Sequence, residues 1–546
     1  MRSLRQRAVW FGPAEHPLLG WLTQPASGPG ETGVVLVPPL GYEYWTTHRA
    51  VRAIAERLAA QGCSVLRYDL EGTGDSAGGP ADPDRLGAWR RSVGAAASVL
   101  RGNGSTALVV GGVRFGATLA LLEGAAAGAD RVVAWAPVER GRLYTRELKL
   151  LSRPVPDDVE VLGGGIAHAG TVLGPETLGQ LRAVDVATLD ARPAPQVLIV
   201  DRDDHAPSDA LADHLRALGS TTDVVTVSGS DVALDRPTEY ADVPDDVVAA
   251  VSDWVGRSGP ARDAAGEADA PDEAEATFDG VTERVVRLGP ERLVGVLTEA
   301  VGERRATVVW CNSGSEPHVG PGRAWVDFAR ALAPHGYASV RLDFSGWGES
   351  PDLGHSPGRP YDPHCVDEIA SVVDDLWAQG HGRVVVAGLC AGAWDALRSA
   401  VDHGLDGVIA INPQLYWQRG DPVEADIVAE TRVRRTEEIR RFRRGRRLGL
   451  WSVLDLVGAR HPAAAWLRDL ERSGTPVLAL FAEGDDGLEF LEDRVGRAWS
   501  HALAGGTVTC RVVPDIDHPM HRAWRRDTVV EEIRRWLGAV GPGSSA

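Results

Sequence analysis

Two tandem domains of α/β class, each a mostly parallel twisted sheet with helices on both faces and a lid insertion, are what the 546-residue sequence predicts. Three observations carry this prediction. Short β-branched runs alternate with amphipathic helical stretches, the pattern of βαβ units feeding a parallel sheet. The first half is also repeated in the second. Val34-Val35-Leu36-Val37 aligns with Val308-Val309-Trp310-Cys311, and Arg67-Tyr68-Asp69 with Arg341-Leu342-Asp343, each pair 274 residues apart. The offset grows to 276 at Gly112–Gly116 against Gly388–Gly392, and to 282 at the closing helices, Val247–Val255 against Val529–Leu537. Slow growth of the offset means one domain copied with small loop insertions, not a short-period solenoid. Finally, a stretch of small and acidic residues without an apolar face separates the copies and reads as a flexible linker. The expected organisation is a first domain over residues 1–256, a linker over 257–277, a second domain over 278–540 and a tail over 541–546.

Within the first copy the expected strands are Gly33–Val37, Val65–Tyr68, Ala107–Val110, Val132–Trp135 and Gln196–Val200. The second copy offers Thr307–Trp310, Ser339–Leu342, Val384–Ala387, Gly407–Ile411 and Val477–Phe481, with a further strand from Thr507 to Val513. Leu18–Thr23 and Leu293–Thr298 are hairpin-like openings that suit antiparallel first strands. An insertion at about 413–470, before the strand Val477–Phe481, is the expected lid.

Composition narrows the function classes. The apolar and charged fractions are those of a globular protein, and a formal charge of −19 argues against general nucleic-acid binding. Five scattered cysteines without metal-ligand spacing argue against a disulfide framework and a zinc site, and fit a reducing compartment. No signal peptide and no apolar run of membrane-spanning length is visible, so the expectation is a cytoplasmic protein without metal or cofactor.

The chemistry is concentrated in Gly388-Leu389-Cys390-Ala391-Gly392, which follows an apolar strand and precedes a helical stretch from Ala393 to Val401. G-x-C-x-G in that setting is a nucleophile elbow with cysteine in the place of serine. Glycines on both sides let the helix pack closely on the strand. The helix N-terminus then favours the thiolate form of Cys390. The plainer alternative is a buried structural cysteine between two packing glycines.

With this elbow, the turn Asp343-Phe344-Ser345-Gly346-Trp347-Gly348-Glu349-Ser350 and a late histidine, both copies resemble the α/β-hydrolase superfamily over nearly the whole chain. The second copy is similar to cysteine-nucleophile hydrolases with a Gly-Leu-Cys-Ser/Ala-Gly-Ala elbow, and in nucleophile type to dienelactone hydrolases. Pro38–Glu43 and Trp135–Arg142 make the first copy resemble exosortase-system-associated hydrolases.

The resemblance implies a chain order of nucleophile, acid, histidine. Cys390 comes first. Asp485, at the end of the strand Val477–Phe481, fits the expected register of the acid, with Asp486 in reserve. His518 is the expected base, and His521 lies three residues beyond it. The backbone amide of Ala391 and one from Ser313 or Gly314 are the expected oxyanion-hole donors, with Asn312 helping to shape the loop. Asn312-Ser313-Gly314-Ser315 reads equally as an ordinary polar turn. Trp394, Trp417 and Trp451 are candidates for an acyl pocket and equally for plain core.

In the first copy Arg114 stands where the nucleophile would be, and a guanidinium cannot attack a carbonyl. The matching late loop, Ser228–Ala233, holds no histidine. Asp203, Asp204 and His205 follow the acid-bearing strand, and Arg114 is expected to pair with one of these aspartates or to bind an anionic ligand. This copy reads as a degenerate domain. Nine arginines between Arg432 and Arg447, including Arg434 and Arg435, sit among Glu430, Glu437 and Glu438 in the lid. They form a solvated charged helix or meet an anionic partner.

The expected function is acyl transfer on a small-molecule ester or thioester, carrier-protein- or coenzyme-A-bound in one version, through an acyl-cysteine. No nucleic acid or membrane partner is implied. Cofactor-free elimination or isomerisation in the same pocket, and a non-catalytic scaffold, are the competing readings.

Overall fold

The computed structural model describes residues 3–257, 274–354, 361–415 and 462–540. The chain divides into two compact units, Met1–Asp279 and Gly280–Ala546. Each is an α/β unit built on one twisted sheet.

In the first unit the strands are β1 (Leu4–Phe11), β2 (Leu18–Pro25), β3 (Thr32–Val37), β4 (Ser64–Tyr68), β5 (Ala107–Val113), β6 (Arg131–Trp135), β7 (Gln196–Arg202) and β8 (Thr221–Val227). They form an eight-stranded sheet in the order β1-β2-β4-β3-β5-β6-β7-β8. The pair β1 and β2 is antiparallel, and β2 joins β4 antiparallel. From β4 onward every pairing is parallel. The basic opening Leu4–Phe11, which carries no strand expectation of its own, is held as an edge strand by Leu18–Pro25. A small antiparallel sheet of Arg153–Pro154, Ile166–His168 and Thr171–Leu173 lies in the excursion between β6 and β7.

The second unit follows the same order. Its strands are β9 (Val281–Leu288), β10 (Leu293–Thr298), β11 (Ala306–Trp310), β12 (Tyr337–Leu342), β13 (Val384–Leu389), β14 (Val408–Ile411), β15 (Val477–Ala482) and β16 (Val508–Val513). They run β9-β10-β12-β11-β13-β14-β15-β16 across the sheet.

Parallel strands covered on both faces must be apolar on both, because successive side chains point to opposite sides. β13 shows this directly. Val384 and Val386 belong to one core with the helices Pro363–Ala378 and Ala391–His403. Val385, Ala387 and Leu389 face the other core, with Ala324–Leu332 and Arg526–Ala539. The same division holds in the first unit, where Val110 and Val109 fall into opposite cores. This sandwich leaves the C-terminal ends of the parallel strands free to carry polar groups, the usual location of ligand sites in open α/β sheets.

The expected lid lies mostly at 416–461, outside the described residues, as do Trp417, Trp451, Arg434, Arg435 and the tail. Among the described residues no helix is long and apolar enough to cross a membrane.

Candidate active site

Cys390 occupies the turn between β13 and the helix Ala391–His403, at φ 56°, ψ −108°. A non-glycine residue at positive φ is strained by about 1–3 kcal/mol, which only a well-determined surrounding sustains. The neighbouring glycines supply that surrounding. A Cβ on Gly388 would lie 2.2 Å from the Gly392 carbonyl carbon, and one on Gly392 would lie 2.4 Å from the Asn312 oxygen. Helix, elbow and the β11 loop are therefore in contact through bare backbone. Cys390 N–H donates to the Ile411 carbonyl at 3.0 Å, which pins the turn to β14.

His518 lies in the loop after β16. Its Nδ1 is 2.6 Å from Asp485 Oδ2. Asp485 caps the short helix Asp486–Phe490 by accepting from Gly487 N–H through Oδ1 at 2.8 Å. That bond fixes the carboxylate and leaves its second oxygen for the imidazole. The neighbouring Asp486 is the first residue of that helix, half-buried, and Asp485 makes the contact. Nε2 of His518 is buried and makes no hydrogen bond among the described residues, and the ring interacts electrostatically with Cys390 as well as with Asp485. Burial favours the neutral ring. The bond to Asp485 and the negative charge of Asp485 and Cys390 outweigh it and raise the His518 pKa to about 10.

Two residues at this site carry no expectation from the sequence. Tyr361 Oη lies 3.9 Å from Cys390 Sγ. Asn412, fully buried and at φ 44°, donates Nδ2 to the His518 carbonyl at 2.8 Å and accepts from Ala482 N–H at 2.7 Å. It thereby ties the histidine loop to the strand that ends at the acid. An Asn directly after an apolar strand signals the left-handed turn, which Asn tolerates, but not the partner.

The loop after β11 approaches the elbow through Ser313, whose Oγ donates to the Leu389 carbonyl at 3.3 Å, and turns at Gly314, φ 55°. Asn312 is not presented to a ligand. Its Nδ2 donates to Glu316 O and Asp343 Oδ1, and its Oδ1 accepts from Phe344 N–H, so the side chain holds the loop instead. Asp343, fully buried, also accepts from His318 N–H at 2.7 Å and lies 2.6 Å from His318 Nδ1. Trp394 is buried in the helix-side core, edge-on to Tyr361 and Trp466. Ala391 is the first residue of its helix, where an N–H has no intrahelical acceptor.

The first unit repeats the elbow geometry with a different side chain. Arg114 has φ 52°, ψ −117°, and a Cβ on Gly112 would lie 2.3 Å from the Gly116 carbonyl carbon. Arg114 does not pair with Asp203 or Asp204. Its Nε donates to Glu43 at 2.6 Å and its Nη2 to Glu147 at 3.0 Å. Asp204 is already held by two bonds from Arg202 and lies beside His205, while Glu43 and Glu147 come from helices next to the elbow. In the late loop Ser230 is buried against Trp135, where the second unit has its histidine loop.

Residues 308–539 match the Alpha/beta hydrolase family. This hydrolase match spans β11 through the closing helix of the second unit and contains Cys390, Asp485 and His518. No curated protein matches the chain. Among solved structures, Est1E from Butyrivibrio proteoclasticus with bound ferulic acid is similar at 20% identity, covering 45% of this chain and 98% of its own, with a TM-score of 0.36. A predicted CIB-like hydrolase from Thermoplasma acidophilum is 15% identical over 47% of this chain and 97% of its own, TM-score 0.31. The dienelactone hydrolase from Anabaena variabilis is 14% identical over 47% and 97%, TM-score 0.31. As for metals, among the described residues His16, Glu71 and Asp82 form one group with ligand atoms within 4.8 Å of one another, and none of the three belongs to the Cys390, His518 and Asp485 set.

Proposed function

We propose that the second unit is an acyl-transfer enzyme, a hydrolase or acyltransferase, acting on a small ester or thioester through an acyl-Cys390 intermediate. The observation that supports this reading is the 2.6 Å contact of His518 with Asp485 on a ring whose charge is also coupled to the elbow cysteine. The thiolate attacks the carbonyl carbon, and the S–C bond forms as the carbonyl oxygen takes the negative charge. Ala391 N–H and an amide of the Ser313–Gly314 turn are the donors for that oxygen. As the tetrahedral species collapses, His518 gives its proton to the departing alkoxide or thiolate. An incoming water, amine or thiol then surrenders a proton to His518 while attacking the thioester, and the S–C bond breaks. Asp485 holds the ring in the tautomer that both transfers require.

Arg114 removes the nucleophile from the first unit, which we assign no acyl chemistry. A carrier-protein or coenzyme-A version of the donor rests on the arginine run at 432–447, outside the described residues. Release of nitrophenol and of free thiol from a panel of aryl esters and acyl thioesters tests the proposal. Turnover should fall at least about 1000-fold in Cys390→Ala and in His518→Ala. Release that persists in Cys390→Ala would show that it does not pass through an acyl-cysteine and would overturn the proposal.

A further inference from the structure

The first unit has lost a nucleophile but not a cleft. A cavity of about 320 Å³ opens where β6 and β7 end, a volume within the range of small-ligand sites. Arg114 stands on its wall, on the strained turn that presents a side chain to this space. The guanidinium is largely buried, its side chain 12% exposed, and lies 5.8 Å from the ring of Tyr144, itself buried.

The structure already contains a carboxylate bound there. Glu147 extends from the helix Gly141–Leu151 so that both its oxygens lie on Arg114 Nη2, at 3.0 and 3.3 Å. Its side chain is 51% exposed, so little holds it besides that ion pair. At the mouth stand Arg140, a cation without an ion-pair partner among the described residues, and Leu143, an apolar side chain 53% exposed. The wall also carries Glu139, Asp201, Arg202 and His205, of which Asp201 accepts from Ser208 N–H and Arg202 is held by Asp204 and Asp235. Arg114 within, Arg140 at the rim and the apolar side chains of Val138 and Leu143 suit a ligand with an acidic head and an apolar body.

We propose that this cleft is a binding site for small organic monocarboxylates, whose carboxylate replaces that of Glu147 on Arg114. The exchange keeps the charge of the cleft constant. Glu43, bonded to Arg114 Nε at 2.6 Å, disfavours a dianion, because a second negative charge would face its carboxylate in a poorly solvated site. Inorganic phosphate is therefore the discriminating anion. This site is independent of the acyl chemistry proposed for the second unit.

Isothermal titration of the full chain carrying Cys390→Ala with hexanoate, benzoate, hexanamide and inorganic phosphate tests the proposal. The two carboxylates should bind, and hexanamide and phosphate should not. Glu147→Gln, a change in an exposed side chain, should tighten carboxylate binding about 10-fold by removing the internal competitor. Arg114→Gln should abolish it. Carboxylate binding unchanged in Arg114→Gln, phosphate binding as tight as hexanoate, or no carboxylate binding in either the parent or Glu147→Gln would each overturn the assignment. If Arg114→Gln does not fold, the Glu147→Gln shift decides alone.

Discussion

Asn412 donates a hydrogen bond to the main-chain carbonyl of His518 at 2.8 Å, and through the Ala482 amide it is bonded to the strand that leads to Asp485. One buried side chain thus links the His518 loop to the strand that leads to Asp485. The first unit has Ala136 at the corresponding strand end, also at positive φ, and lacks both the histidine and the tether. Asn412→Ala should lower acyl turnover about 10- to 100-fold, by analogy with other orienting groups. It leaves a buried amide and carbonyl unpaired, at about 1–3 kcal/mol of stability. Turnover and a denaturant melt measure the two. Unchanged turnover would show that the tether does not position His518.

The raised pKa of His518 predicts how Cys390 responds to pH. The imidazolium persists until pH approaches about 10, so a positive charge stands beside Cys390 across neutral pH. Alkylation of Cys390 by iodoacetamide should stay nearly flat from about pH 6 to 9. In His518→Ala it should rise about tenfold per pH unit toward the ordinary thiol pKa of about 8.5. The linkage has a definite sign. The folded pKa lies above the unfolded one, so this contribution to stability is complete below about 6.5 and lost as pH rises through about 10.

Asp395, five residues beyond Cys390, is buried with Oδ1 lacking a hydrogen-bond partner. Burial, reinforced by Asp362 and Cys390, pushes its pKa well above the carboxylate range. Five residues beyond Arg114, the first unit has Leu119, fully buried. Asp395→Leu should therefore stabilise the second unit by about 1–3 kcal/mol at neutral pH. Because the folded state holds the extra proton, Asp395 lowers stability as pH climbs above about 4, and the substitution should flatten that slope. Thermal melts at several pH values measure both. A destabilised variant would contradict the description of Asp395 as an uncompensated buried acid.

Gly392 is required by backbone contact. Gly392→Ala would place a methyl 2.4 Å from the Asn312 carbonyl oxygen, and neither backbone can retreat cheaply. A loss of about 2 kcal/mol or more, with Cys390 reactivity falling in parallel, is expected in denaturant melts and alkylation assays. A neutral substitution would mean that loop and elbow are not in contact.

Much of the fold was legible because parallel strands buried on both faces leave continuous apolar runs such as Val384–Ala387. The elbow was legible for a similar reason, since a collision-limited turn admits only glycine at Gly388 and Gly392. Hydrogen bonds that close over long separations were not. Nothing local to Asn412 reveals that its partner is 106 residues away, and nothing in Tyr361 points to Cys390. The partners of Arg114 were missed for the same cause. Asp203 and Asp204 matched the expected register of an acid, yet Arg202, two residues from Asp204, captures that carboxylate locally. Glu43 and Glu147 reach Arg114 from elements whose approach only the folded chain defines.

Acylation of Cys390 is read out by intact-mass analysis after incubation with a panel of acyl thioesters. The wild type should gain the mass of one acyl group, a gain absent in Cys390→Ala and slowed in His518→Ala. An increment that survives Cys390→Ala, or turnover of these thioesters with no covalent species under rapid quench, would contradict acylation at Cys390.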